Sequence, residues 1–219
     1  MHDAENSTST LAEKTEKKVL VPRRQPDTGP QARWLPGEVG IWVFVFTDLM
    51  MFSAYFAALL NERAHHAGEF TSGRAALNTD LGALNTFLML TASLCIALAV
   101  HAVRESAERT VRRLLLGSGI CGALFIVNKG IEWSSAAGAG HTPQTNVFFQ
   151  MYYMLTGIHL LHVIIAMIVL AYLWRTARRM RAGGTTDARH MRFFENGATF
   201  WHLTDALWIV LFTLFYLVR

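Results

Sequence analysis

The sequence predicts an all-α integral membrane protein, a bundle of five transmembrane helices with its N-terminus in and its C-terminus out. Hydrophobic residues make up 52% of the 219-residue chain and charged residues only 16%, whereas soluble domains carry about 25% charged residues. Five apolar segments follow one another, each close to the ~20 residues that a bilayer requires. Basic residues are concentrated in alternate connections, which gives the bundle its orientation.

The apolar segments run roughly over 38–60, 83–103, 114–135, 148–173 and 198–218. Segments of this length satisfy their backbone polar groups inside a bilayer as helices. Residues 1–36 are rich in Ser, Thr, Glu, Lys and Pro and lack the apolar stretch of a signal peptide. They cannot bury enough surface to become ordered. We therefore expect a disordered cytoplasmic tail over 1–36 and one transmembrane domain over 37–219.

The distribution of basic residues predicts the topology. Sixteen of the 20 Lys and Arg residues lie in the tail and in the second and fourth connections, whereas the first connection holds only Arg63 and Arg74. Because cytoplasmic loops are enriched in Lys and Arg, this indicates a multi-pass membrane protein with its N-terminus in and its C-terminus out. The net charge of +4 thus reflects membrane orientation rather than nucleic-acid binding. Some of these residues are also candidates for contacts with anionic lipids: Arg112, Arg113, Arg175 and Arg178.

Ionisable residues inside the apolar segments are the candidate functional residues, because charges at bilayer depth are costly and usually face the bundle interior. The first group is predicted to form a buried polar layer from the centre toward the inner side, with a structural or a proton-related role: Asp48, His159, His162, His202 and Asp205. Counting about 1.5 Å per residue places His202 about 9 Å from the midplane, toward the cytoplasm. Lys129 and Glu132, three residues apart, are predicted to form an ion pair nearer the outside.

The histidines do not form a complete ligand set for haem or metal. A bis-histidine haem needs facing ligands, and di-iron bundles use two Glu-x-x-His motifs, whereas His202-x-x-Asp205 occurs once. Cys95 and Cys121 lack metal-ligand spacing. We therefore expect no catalytic residue, metal or bound cofactor in this chain. An electron carrier resembling cytochrome b is disfavoured for the same reason, and a small proton-coupled transporter by the lack of inverted repeats or broken helices.

Several motifs resemble those of one known family, subunit III of the haem–copper oxidases, in its short five-helix bacterial form. Residues 156–163, Thr-Gly-Ile-His-Leu-Leu-His-Val, resemble the family's TGxHGLHV signature, and residues 201–208, Trp-His-Leu-Thr-Asp-Ala-Leu-Trp, resemble WHFVDxxW. Thr47-Asp48 lies where many members have Ser-Glu, and Glu132-Trp133 where they have an acid followed by an aromatic residue. The resemblance extends over about residues 38–219.

The resemblance implies a non-catalytic subunit of a cytochrome c oxidase in the aerobic electron transport chain. Such a subunit docks against the large catalytic, haem-bearing subunit and supports its assembly, stability and proton uptake. Haem and copper are then held by the partner subunits, and structural phospholipid lies between the helices. Four residues depart from the family pattern: Asp48, Lys129, Leu160 and Thr204. Because Gly-Ile-His-Leu-Leu-His-Val resembles most the branch found beside bacterial nitric oxide reductases, an accessory membrane subunit of that enzyme in denitrification is the alternative.

Overall fold

The computed structural model describes residues 39–105, 107–178 and 188–218, and this part of the chain is helical without a strand. The predicted tail over 1–36 lies outside the described residues. The helices, in chain order, are α1 Val39–His65, α2 Ala67–Ala75, α3 Thr79–Arg104, α4 Glu108–Gly138, α5 Val147–Ala177 and α6 Ala188–Phe212, and a π-helical turn, Thr213–Leu217, continues α6.

Five of these helices are long and apolar enough to cross a membrane, so the predicted all-α, five-span architecture is confirmed. The helices are longer than the apolar segments that revealed them, and the short α2 was not predicted. The largest difference is in α6, which begins at Ala188 rather than near residue 198. Phe194 explains it: its side chain is only 1% exposed, so packing continues the helix through a stretch whose charged residues lower its hydropathy.

The helices α3, α4, α5 and α6 form a four-helix bundle in which each packs against the next and α6 returns to α3. The helix α1 lies against α5 and α6. Aromatic side chains fill the bundle axis, where the rings of Phe125 on α4 and Trp208 on α6 meet edge to face with their centroids 4.8 Å apart. Such pairs contribute about 0.5–1.5 kcal/mol beyond their burial.

The last described residue lies beside the end of α1. Arg63 and Arg74 each donate a hydrogen bond to the carbonyl oxygen of Val218, at 3.2 and 3.1 Å. The same side carries the start of α5, where the carboxylate of Glu69 accepts a hydrogen bond from the backbone N–H of Val147 at 3.0 Å. The start of α1 and the end of the described chain thus lie on opposite sides of the bundle. Which side faces the cytoplasm stays a prediction from the basic residues.

Candidate functional site

The most completely buried charges form a cluster between α4, α5 and the π-helical turn, which we call the Lys129 cluster: Lys129, Glu132, Tyr152 and Tyr216. The side chain of Lys129 is 1% exposed and that of Glu132 is 3% exposed. Lys129 Nζ lies 3.0 Å from Glu132 Oε2. The spacing of three residues places both on one face of α4, and this face turns toward the two tyrosines.

Each hydrogen-bonding group of the Lys129 cluster has a partner. Lys129 Nζ donates to Glu132 Oε2 and to the hydroxyls of Tyr152 and Tyr216, at 3.0, 3.0 and 3.1 Å. A lysine ammonium has three donors, and all are used. Both tyrosine hydroxyls donate in turn to Glu132 Oε1, Tyr152 at 2.8 Å. The cluster carries no net charge and ties three elements together.

Aromatic faces cover the remaining surface of the ammonium group. Lys129 Nζ lies 4.7, 5.1 and 5.6 Å from the ring centroids of Tyr152, Trp208 and Tyr216, within the range in which a cation is attracted to an aromatic face. Trp208 is held in place by its indole N–H, which donates to Thr86 Oγ1 of α3 at 3.1 Å. The cluster is thereby linked to α3 as well.

A second polar contact joins α1 to α5. His162 Nε2 lies 3.1 Å from Asp48 Oδ1, and His162 Nδ1 lies 2.8 Å from the carbonyl oxygen of Ile158. Because a carbonyl only accepts, Nδ1 carries a proton. The contact between Nε2 and Asp48 Oδ1 therefore ties α1 to α5.

His159 makes a different contact. Its ring is fully buried, with Nε2 donating to the carbonyl oxygen of Thr204 on α6 at 3.1 Å. The rings of Phe125 and Trp208 lie against it, with centroids 5.7 and 5.2 Å away. His159 therefore fixes α5 against α6.

His202 and Asp205 form a third group, with Ser93 of α3. His202 Nδ1 lies 2.7 Å from Ser93 Oγ and 3.8 Å from Asp205 Oδ2. Asp205 is buried, and no described side chain donates a hydrogen bond to either of its carboxylate oxygens. Ser93 and Trp201 also adjoin this carboxylate.

The predicted five-residue layer is thus divided into three groups. Asp48 and His162 join α1 to α5, His159 joins α5 to α6, and His202 with Asp205 faces α3. The prediction of burial is wrong for His202, whose side chain is 45% exposed, because its face of α6 turns out of the bundle. His202 lies only ~2 Å from the midpoint of the last helix, His190–Leu217, and its depth in the membrane stays a prediction.

The four arginines proposed as lipid contacts lie at the start of α4 and the end of α5. Arg112 and Arg178 share one aromatic partner: their Cζ atoms lie 5.8 and 4.9 Å from the ring centroid of Trp174. Arg113 and Arg175 are exposed. The arrangement presents several cations at one end of the bundle, and their contact with anionic lipids stays a prediction.

Within the described residues, no group of three or more His, Cys, Asp or Glu side chains is placed to hold a metal ion. The geometry therefore describes a bundle held by paired polar groups. Comparison with known proteins assigns it to a family: residues 36–218 match the family model described as cytochrome c oxidase subunit III. The chain belongs to this family.

Relatives support the same assignment. The chain is 28% identical to a cytochrome c oxidase subunit 3 of Thermostichus vulcanus over 181 residues, covering 82% of this chain and 86% of the relative. It is 27% identical to a cytochrome bo(3) ubiquinol oxidase subunit 3 of Pseudomonas putida, covering 82% and 84%. A haem–copper oxidase subunit I+III of Aeropyrum pernix is 25% identical over 183 residues, 81% of this chain and 22% of the relative.

Membership defines a role as subunit III of a cytochrome oxidase and, with the five spans, a multi-pass protein of the inner membrane. Sequence reasoning missed the tyrosines of the Lys129 cluster, and Ser93 beside His202. Tyr152 and Tyr216 lie near the ends of apolar segments, a position that aromatic residues also take at membrane interfaces. The unusual cation Lys129 was the available signal, because a buried ammonium requires several acceptors.

Proposed function

We propose that this subunit III docks against the large catalytic, haem-bearing subunit of its oxidase and supports the assembly and stability of that subunit, while haem and copper are held by the partner subunits. The observation that carries this proposal is the use made of the intramembrane polar residues. They pair with one another across helix boundaries, as in the Lys129 cluster and the Asp48–His162 pair. Polar contacts of this kind fix how helices pack in a membrane.

The Aeropyrum pernix relative supports docking to subunit I, because its name places subunits I and III in one chain. The relatives include both cytochrome c and ubiquinol oxidases, so the electron donor of the complex is left open by the comparison. The proposal therefore applies to the haem–copper oxidases as a whole.

A contribution to proton uptake is the second part of the proposal. Geometry supports the Asp48–His162 pair as the site of this contribution, because His162 Nε2 and Asp48 Oδ1 lie within hydrogen-bond distance, at 3.1 Å. An intramembrane carboxylate beside a histidine is a typical element of proton relays. If the pair has only a structural role, it holds α1 against α5.

The proposal is tested by deleting the subunit in its native host and purifying the oxidase through a tag on the large subunit. We expect a lower yield of intact oxidase, and a faster loss of oxygen-consuming activity during sustained turnover. Reintroducing the wild-type chain is the control. Full yield and unchanged durability without this subunit would refute the proposal, and a stoichiometric haem spectrum from the subunit expressed alone would refute its accessory role.

One observation supports the alternative that this chain is an accessory subunit of a nitric oxide reductase. Leu160 stands where the oxidase signature has Gly, and its side chain is partly buried against the aromatic core of α5 and α6. The same purification separates the two readings when the tag is placed on this subunit. Recovery of an oxygen-reducing large subunit supports the oxidase, and recovery of a nitric-oxide-reducing one supports the alternative.

A further inference from the structure

The exposed side of α6 carries a histidine within the last membrane-spanning helix, His190–Leu217. The side chain of His202 is 45% exposed, although it lies only ~2 Å from the midpoint of its span. Histidines inside transmembrane helices almost always face the bundle interior or a water-filled cavity. A cavity of 580 Å³ lies at the end of α1 and is lined by Arg63, Arg74 and neighbouring apolar residues. His202 is not among the residues that line this cavity.

The surroundings of His202 define a surface, which we call the His202 face. Along α3 it consists of Leu90, Ser93 and Ala97, and along α6 of His202, Ala206 and Ile209. Ser93 engages Nδ1 of the imidazole at 2.7 Å, so Nε2 is the ring nitrogen that remains for a group outside this chain. The buried carboxylate of Asp205 lies beneath, 3.8 Å from Nδ1.

Small residues flank this polar group. Ser93, Ala97 and Ala206 leave the backbones of α3 and α6 accessible, which allows another helix to approach closely. Large apolar side chains are exposed on the other helices, such as Phe46 on α1, Val127 on α4 and Ile168 on α5, each more than half exposed. Lipid chains cover such side chains well but offer no hydrogen bond to an imidazole.

A charged contact marks one end of the same face. Arg104 of α3 and Glu195 of α6 approach to 3.2 Å, at the helix ends that join the second and fourth connections. The stripe from this pair to Ile209 thus combines a charged end, a polar centre and small residues between them. A transmembrane helix with a hydrogen-bonding side chain at the level of His202 complements this stripe, whereas a wholly apolar helix or an acyl chain does not.

We propose that the His202 face is the surface on which this subunit binds a transmembrane helix of the large catalytic subunit, with His202 Nε2 hydrogen-bonded to a polar side chain of that helix. This inference rests on the proposed function, because it assumes that the two subunits bind each other. The inference adds which side of the bundle makes the contact, and that His202 Nε2 fixes the alignment of the two helices.

The test uses photocrosslinking in native membranes. A benzoylphenylalanine is placed singly at Ala97 and Ala206 on the His202 face, and at Val127 and Ile168 as matched positions on other helices. After irradiation the complex is purified through the large subunit, and crosslinked chains are identified by mass spectrometry. Two positions are used on the His202 face and two on other helices, so that the test still gives a result if one variant fails to assemble.

Crosslinks to the haem-bearing subunit from Ala97 and Ala206, and not from Val127 or Ile168, are the expected result. Crosslinks from the control positions alone, in an intact complex, would overturn this inference and leave the proposed function standing. Crosslinks to a second copy of this chain would overturn it too. If wild-type subunit and large subunit do not copurify at all, the proposed function itself fails.

A substitution pair supplies the chemical test. We expect His202→Leu to lower recovery of the large subunit by roughly fivefold, the effect of one interhelical hydrogen bond in a membrane, and His202→Gln to restore most of it. Phe46→Leu, on α1 and outside the His202 face, should leave recovery of the large subunit unchanged. Equal recovery for His202→Leu and wild type would contradict the role of Nε2.

Discussion

Replacement of Lys129 by methionine tests the Lys129 cluster most directly. The substitution keeps a long unbranched side chain but removes three hydrogen bonds and the cation that lies 3.0 Å from Glu132. Glu132 then remains buried with two tyrosine donors and no counter-charge. Removing one member of a buried ion pair typically costs about 3–5 kcal/mol, so the free energy of unfolding should fall by that amount.

A second variant separates the cost of an uncompensated charge from the loss of packing. In Lys129→Met with Glu132→Gln, the amide keeps an oxygen for both tyrosine hydroxyls while the charge is gone. We expect this double variant to be more stable than Lys129→Met alone, with a loss of about 1–2 kcal/mol for imperfect hydrogen bonding. The two substitutions are therefore coupled.

The assay is unfolding of the purified full chain in mixed micelles with increasing dodecyl sulfate, followed by tryptophan fluorescence. Val127→Ala is the matched control, since Val127 lies two residues away on α4 and is 59% exposed; its effect should be within about 0.5 kcal/mol. A loss below about 1 kcal/mol for Lys129→Met, or no difference between the single and the double variant, would refute the description of a charge-compensated cluster.

Three further predictions concern other parts of the bundle. If the contact between Asp48 and His162 is structural, Asp48→Asn should leave recovery of the large subunit near wild type, whereas Asp48→Leu should lower it. If Asp48→Asn assembles normally but reduces oxidase turnover, the contact has a proton-related role instead. Phosphatase and fluorescent-protein fusions should place the N-terminus and residues 175–195 in the cytoplasm and the C-terminus outside, and a cytoplasmic C-terminus would contradict the predicted topology. Gly73→Ala should destabilise the chain by about 1–3 kcal/mol in the micelle assay because its Cβ would lie 2.2 Å from Phe148, whereas Gly68→Ala, with open space around it, should be neutral.

The five spans could be predicted from the sequence because hydropathy over ~20 residues responds directly to the thickness of a bilayer. The ends of the helices could not. The helix α6 continues through Arg192 and Glu195, where hydropathy falls but Phe194 still packs in the core. The short α2 is equally invisible to hydropathy, since its sequence is polar and it is held by a close approach of Gly73 to Phe148.

The candidate residues could be selected from the sequence, but their partners could not. Spacing within one helix placed Lys129 beside Glu132, whereas Tyr152 and Tyr216 come from distant segments and meet them only through the packing of α4, α5 and α6. The same limit explains His202. A helical repeat tells which residues share a face, but not which face turns outward, and that depends on how α6 rotates against α3.

The Lys129 cluster and the His202 face are connected through the orientation of α6. A buried ion pair is weak support for stability, because the cost of removing charges from water offsets much of their attraction; its better-attested effect is to fix one packing arrangement. Tyr216, at the end of α6, can reach Lys129 only in one rotation of that helix. The same rotation directs His202 outward beside Ser93 and keeps Trp208 inside against Phe125. A loosened Lys129 cluster should therefore weaken binding of the large subunit, although no residue of the cluster lies on the His202 face.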